Sequence, residues 1–346
     1  MLQKVLNTYG ITKEAEPFGT GLINHTWIVH SGLNQFILQC INHNVFKNPV
    51  DIASNIRLIG RYLSKHSPGY LFVTPEKTLQ QEDLVYLPGK GYFRLFPFVK
   101  NSHTIDVVSS PSQAYEAATQ FGRFTRLLTS FPVDQLKITL PDFHNLPLRY
   151  SQFETAVING NKERIKEGAE IIYALKQYQP IVTISESIPN NNAFKRRVTH
   201  HDTKISNVLF DSNDKGLCVI DLDTVMPGYF ISDVGDMIRT YLSPVSEEEK
   251  DFSKIEIRDE YFKAIAEGYL GEMNDELSET EKKHFVYAGK FMIYMQALRF
   301  LTDYLNNDIY YGSKYEGHNF VRANNQMVLL NKLIEKERYL NSLITL

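Results

Sequence analysis

Through the first hundred positions, apolar residues fall in short β-branched and aromatic runs. Thr26-Trp27-Ile28-Val29-His30 and Gln35-Phe36-Ile37-Leu38-Gln39 flank Ser31-Gly32-Leu33-Asn34, which predicts a hairpin. Leu84-Val85-Tyr86-Leu87 and Tyr92-Phe93-Arg94-Leu95-Phe96 flank Pro88-Gly89-Lys90-Gly91 and predict a second. Between them, Ile52, Ile56, Ile59 and Leu63 recur at helical spacing. The texture changes after Pro97. Residues 111–128 read as a helix with Tyr115, Ala118, Phe121 and Phe124 on one side, and residues 153–177 as one or two helices. Residues 198–223 return to short strands, and from Ser246 onward the chain is mainly helical. Ser278-Glu279-Thr280-Glu281 predicts a capping box. The change of texture places a boundary after Phe96-Pro97-Phe98-Val99, dividing the chain into residues 1–100 and 101–346.

Composition narrows the class without naming a reaction. Hydrophobic residues make up 43% and charged residues 22%, as in ordinary globular proteins, and a net charge of −3 gives no reason to expect a nucleic-acid or membrane partner. Cys40 and Cys218 are the only cysteines and each lies in an apolar run, which suits a reducing compartment rather than a disulfide framework. The N-terminal stretch lacks the apolar core of a secretion signal, and no run approaches the ~18 apolar residues of a membrane span. The expectation is a cytoplasmic protein with a small-molecule substrate.

The chemistry concentrates in His201-Asp202-Thr203-Lys204-Ile205-Ser206-Asn207 and Val219-Ile220-Asp221-Leu222-Asp223. Phosphoryl transfer needs an acceptor for a hydroxyl proton, oxygen ligands for Mg²⁺ and positive charge near the moving group. Asp202 on a loop supplies the first, and Asn207 and Asp221 supply the second. Lys204, two residues past Asp202, can stabilise phosphoryl charge. Val208-Leu209-Phe210 and residues 217–220 are strand-like around the turn residues 211–216, so Asn207 starts one arm of a hairpin and Asp221 ends the other. Gly19-Thr20-Gly21, ahead of the first predicted strand, fits a loop whose backbone approaches phosphates; Gly19 and Gly21 are the residues of interest. Phe96 and Phe98, in the linker, are placed to flank an adenine ring.

These strings resemble the aminoglycoside phosphotransferase and choline kinase superfamily. The stretches 199–209, 220–228 and 233–239 are most similar to its N-acetylhexosamine 1-kinase branch, as are Gly19-x-Gly21-x-Ile23-Asn24, Asp142-Phe143-His144-Asn145 and the late run around Arg299-Phe300-Leu301. The resemblance implies an α+β, bilobal protein-kinase-like fold with a small β-rich N-lobe and a larger helical C-lobe. It implies ATP and Mg²⁺, Asp202 as base, Asn207 and Asp221 as metal ligands, and Arg299 and Tyr310 as sugar contacts. Asp223 is acidic in the family too, as a further member of the metal set or as support for the loop. The implied reaction is transfer of the γ-phosphate to the anomeric hydroxyl of an N-acetylhexosamine.

Two departures stand out. Kinases usually carry a basic residue on the third strand, paired to a helix glutamate; here the strand ends Leu38-Gln39-Cys40 and the helix carries Ser54. Leu22 stands where that branch can carry a sugar-binding histidine, with His25 three residues on. The rival readings are a kinase for another small alcohol (aminoglycoside, choline, homoserine or methylthioribose) and a non-catalytic nucleotide or sugar sensor.

Overall fold

The computed structural model describes residues 2–19 and 23–344. Its N-terminal part is a five-stranded antiparallel sheet of β1 (Ala15–Pro17), β2 (His25–Ser31), β3 (Asn34–Ile41), β4 (Val85–Leu87) and β5 (Gly91–Pro97), in the order β1-β2-β3-β5-β4. A short helix, α1 (Leu2–Asn7), packs Val5 and Leu6 against Val29, Leu38, Phe93 and Leu95, forming a small core of its own. Helix α2 (Pro49–His66) links β3 to β4. Pro49 opens it, where a missing N–H costs nothing, and Ile52, Ile56, Ile59 and Leu63 form its buried stripe. That stripe joins the larger core of the C-terminal part. Both predicted hairpins are present; α1 and β1 were not anticipated, because each is too short to show a period.

The C-terminal part is mainly helical. Helices α3 (Pro111–Leu127), α4 (Leu146–Asn159), α5 (Lys162–Glu167), α6 (Ala169–Gln177) and α7 (Pro180–Ser187) precede β6 (Arg197–Thr199), β7 (Val208–Phe210), β8 (Gly216–Val219) and β9 (Met226–Gly228). Helices α8 (Phe230–Tyr241), α9 (Asp259–Met273), α10 (Glu279–Lys283), α11 (Phe285–Leu305) and α12 (His318–Leu343) complete it. The segment expected as one or two helices over 153–177 is in fact split among three, α4 to α6, and starts earlier. Asn145 caps α4 by accepting from the Leu148 amide, and Asn161 caps α5 by accepting from the Glu163 and Arg164 amides. Between α4 and α5, a Cβ on Gly160 would lie 2.7 Å from the Leu305 carbonyl oxygen, so only glycine fits. The capping box at Ser278 and Glu281 is formed with both of its hydrogen bonds.

Helix α8 crosses α11 at close range. A Cβ on Gly235 would run into the Ala288 carbonyl and lie 3.0 Å from the Met292 Cβ. Gly235→Ala is expected to cost about 1–3 kcal/mol, read as a fall in the urea midpoint without change in slope. No helix among the described residues is long and apolar enough to cross a membrane. Together these elements are an α+β, bilobal, protein-kinase-like fold.

Candidate active site

Two short antiparallel pairs frame the loop at residues 200–207. β6 pairs with β9 and β7 with β8, with Val208 opposite Val219 and Leu209 opposite Cys218. The Ile220 amide donates to the Asn207 carbonyl at 2.8 Å, so Asn207 and Asp221 close the open end of the β7–β8 hairpin side by side. Asp221 has φ 59° and ψ 59°, a left-handed conformation that turns the chain sharply after β8.

The loop is held from below by α8. Asp233 accepts from the amides of His200 (3.1 Å) and His201 (2.7 Å), and Asp236 accepts from the amide of Thr203 (2.9 Å). The Tyr241 hydroxyl donates to the Thr203 carbonyl at 2.6 Å. His201 has φ 68°, and this left-handed residue lets successive loop amides face the helix carboxylates. Arg239 pairs with Asp236 and Glu247 and neutralises part of the acid so gathered.

Asp202 stands at the top of this support, its side chain 25% exposed. Asn207 Nδ2 donates to both its carbonyl oxygen (2.8 Å) and its carboxylate Oδ2 (2.9 Å), and Lys204 Nζ lies 3.1 Å from Oδ2. With its amide nitrogen so engaged, the Asn207 side chain presents its oxygen elsewhere. Burial pulls the Lys204 ammonium down, but Asp202 and Asp221 outweigh it and the net effect is upward. Asp221 is exposed at its surface, yet the protein around it and the Asp223 and Asp202 charges push its carboxyl upward, against the opposing charges of Lys204 and Arg94. Burial likewise raises Asp233 to about 7, offset in part by the two loop amides. It lowers His200, and lowers His201 to about 3, so both rings stay neutral.

Asp223 differs from its neighbour. It is 1% exposed, its Oδ1 lies 2.5 Å from Arg94 Nη1, and its Oδ2 accepts from Asn24 Nδ2 at 2.8 Å. Sequence reasoning offered it as a member of the metal set or as support for the loop; here Oδ1 faces a buried guanidinium and Oδ2 accepts from an amide. Arg94 was not singled out. The available signal was a charged residue in the middle of the apolar run of β5.

Gly19, Phe96, Phe98, Asn207 and Asp221 come together on one cavity of about 300 Å³ between the sheet and the loop, with Gln39 and Arg94 in its wall. The Phe98 amide donates to the Gln35 carbonyl at 3.0 Å and Pro97 has no amide, so these two positions offer rings and carbonyls rather than N–H groups. Gly21 and Leu22 lie outside the described residues. Arg299 and Tyr310 line a separate cavity of about 370 Å³ with Arg149, Gln152, Thr155 and Asp303. Asp303 accepts there from the amides of Tyr310 (2.7 Å) and Tyr311 (2.9 Å), which folds the loop after α11 back over the helix. Tyr310 is 74% exposed, at the rim. His144 is half-buried, stacked on Phe143 at 4.3 Å and facing His201; desolvation by its surroundings first, then His201 and the Arg299, Arg239 and Arg149 charges, hold its ring neutral.

Similar solved structures share the whole architecture at low identity. Spectinomycin phosphotransferase, solved with ADP and spectinomycin, is 15% identical with a TM-score of 0.57, and the match covers 97% of each chain. An aminoglycoside phosphotransferase from Alicyclobacillus acidocaldarius is 11% identical with a TM-score of 0.62, over 97% of this chain and 96% of that one. A choline kinase from Streptococcus pneumoniae is 12% identical with a TM-score of 0.57, over 96% of this chain and 99% of that one. These establish the fold. The sequence itself, over residues 14–277, matches the model of the phosphotransferase enzyme family. On that match, which spans most of its length, the chain belongs to the phosphotransferase enzyme family.

Proposed function

We propose that the protein is an ATP-dependent sugar kinase acting on the anomeric hydroxyl of an N-acetylhexosamine. Residues 1–100 would hold the nucleotide, and residues 101–346 the acceptor. The observation that carries the choice of acceptor is the charge of the second cavity. Arg149 and Arg299 both line it, and neither forms an ion pair among the described residues. Its one carboxylate, Asp303, is engaged by backbone amides and by Asn319 Nδ2 at 3.1 Å. A cationic acceptor needs free acid; two guanidiniums with hydroxyl and amide neighbours suit a neutral polyhydroxyl ligand. That favours the sugar reading over the choline and aminoglycoside ones.

In this reading Asp202 orients the acceptor hydroxyl and takes its proton. Asn207 keeps the carboxylate in place, and Lys204 lies ready to meet charge developing on the phosphoryl oxygens. The crowding of Asp221, Asp202 and Asp223, which pushes Asp221 upward, is the mark of a site that would be relieved by a cation. Asn207 and Asp221 offer the oxygen donors that Mg²⁺ prefers and would hold it. Bound there, Mg²⁺ supplies neutralisation of the β- and γ-phosphate charge.

The test is an acceptor screen with Mg-ATP and NMR of the product. Turnover of N-acetylglucosamine or N-acetylgalactosamine to the 1-phosphate is expected, with no turnover of choline or aminoglycosides. Phosphorylation of an amino alcohol in preference to any sugar would overturn the acceptor assignment. A protein that binds ATP but turns over none of these acceptors would support the sensor reading instead.

A further inference from the structure

The third strand of the sheet lacks its basic residue, yet the wall of the nucleotide cavity is not without a cation. Gln39 on β3 and Arg94 on β5 are directly paired in the ladder, so their side chains leave the same face of the sheet. The Gln39 side-chain oxygen accepts from Arg94 Nε at 3.1 Å and from Nη2 at 2.9 Å. Glutamine cannot carry the charge, but it aims the group that does. Arg94 is 2% exposed and lines the cavity together with Asn207 and Asp221; among the described residues no other arginine or lysine does. Its Nη1 meets Asp223, 2.5 Å away, in place of a helix glutamate, and Ser54 on α2 instead lies beside Arg57. Both departures from the kinase pattern are thus answered by one pair on neighbouring elements.

We infer that Arg94 is the phosphate-anchoring cation of this protein, moved one strand across from its usual place, with Gln39 directing it and Asp223 as its counter-ion. The inference rests on the nucleotide reading above. A planar guanidinium has five donors, and the contacts to Gln39 and Asp223 leave it able to donate to phosphate oxygens as well. A merely structural ion pair between β5 and the loop after β8 makes a different prediction, because it would not distinguish a nucleotide with phosphates from one without.

Calorimetric titration of the full chain with ADP and with adenosine, both in Mg²⁺, separates the two. Arg94→Gln is expected to weaken ADP on the order of 10- to 100-fold, the range for a hydrogen bond to a charged group, and to leave adenosine affinity unchanged. Gln39→Lys combined with Arg94→Gln returns the cation to the third strand on the same rung, and should recover most of the ADP affinity. If Arg94→Gln does not fold, Arg94→Lys keeps the ion pair and should still lose about tenfold for ADP, because an ammonium lacks the planar fork. A folded variant of Arg94 with the ADP-to-adenosine ratio of the unaltered protein would overturn the assignment. Failure of the unaltered protein to bind either ligand would overturn the nucleotide reading, and this inference with it.

Discussion

Asp202→Asn is expected to lower kcat on the order of 10²- to 10⁴-fold, the contribution of a positioned general base, while ADP affinity stays within a few-fold. The variant is nearly isosteric. The Asn207 bond to the backbone oxygen of residue 202 survives, as do the α8 contacts to the amides of His200, His201 and Thr203. What is lost is the proton acceptor and the charge opposite Lys204. The loss should therefore fall on kcat and kcat/KM together and leave thermal unfolding near that of the unaltered protein. A kcat within tenfold of the unaltered protein would remove Asp202 from the role of base. A large fall in melting temperature would instead show that its charge mainly holds the loop.

Glu281→Ala should have the largest effect on stability, about 3–5 kcal/mol in a denaturant titration, the cost of leaving one half of a buried ion pair without its partner. Glu281 is fully buried and Arg197 nearly so. One carboxylate oxygen accepts from Arg197 Nη1 at 2.5 Å and from the Lys195 amide at 3.0 Å. The other accepts from Arg197 Nη2 at 3.0 Å and from the Ser278 amide at 2.9 Å. The same glutamate therefore completes the α10 capping box and fixes the start of β6, which leads directly into the Asp202 loop. Replacing Arg197 and Glu281 together by apolar residues should cost less than Glu281→Ala alone, since no buried charge is then stranded. Equal or additive losses would show that the desolvated charge is not what matters.

The residues proposed for the chemistry lie close together along the chain. Asp202, Asn207 and Asp221 lie within twenty residues, and the turn residues between Phe210 and Gly216 announce the hairpin that closes them together. The hairpins of the sheet and the α2 stripe were legible for the same reason: their periods are local. The break between α4 and α5 was less so, because the carbonyl of Leu305, on a helix far along the chain, closes on Gly160 there.

Asp223 and Arg94 mark the limit more sharply. Along the chain, Asp223 is one more acid beside Asp221, and Arg94 is one more residue of a strand separated from it by over a hundred positions. A ladder register places Arg94 opposite Gln39, and packing of the sheet against the loop after β8 brings its guanidinium to Asp223. Residue order was therefore enough for the fold class, the family and the hairpin that brings Asn207 and Asp221 side by side, since each depends on short-range spacing and periodicity. Which cation lines the cleft, which acid sits against it, and which arginines face the second cavity depended on long-range packing. Electrostatic partners are chosen by distance through space, and a sequence carries that distance only where its neighbours along the chain are also neighbours in the fold.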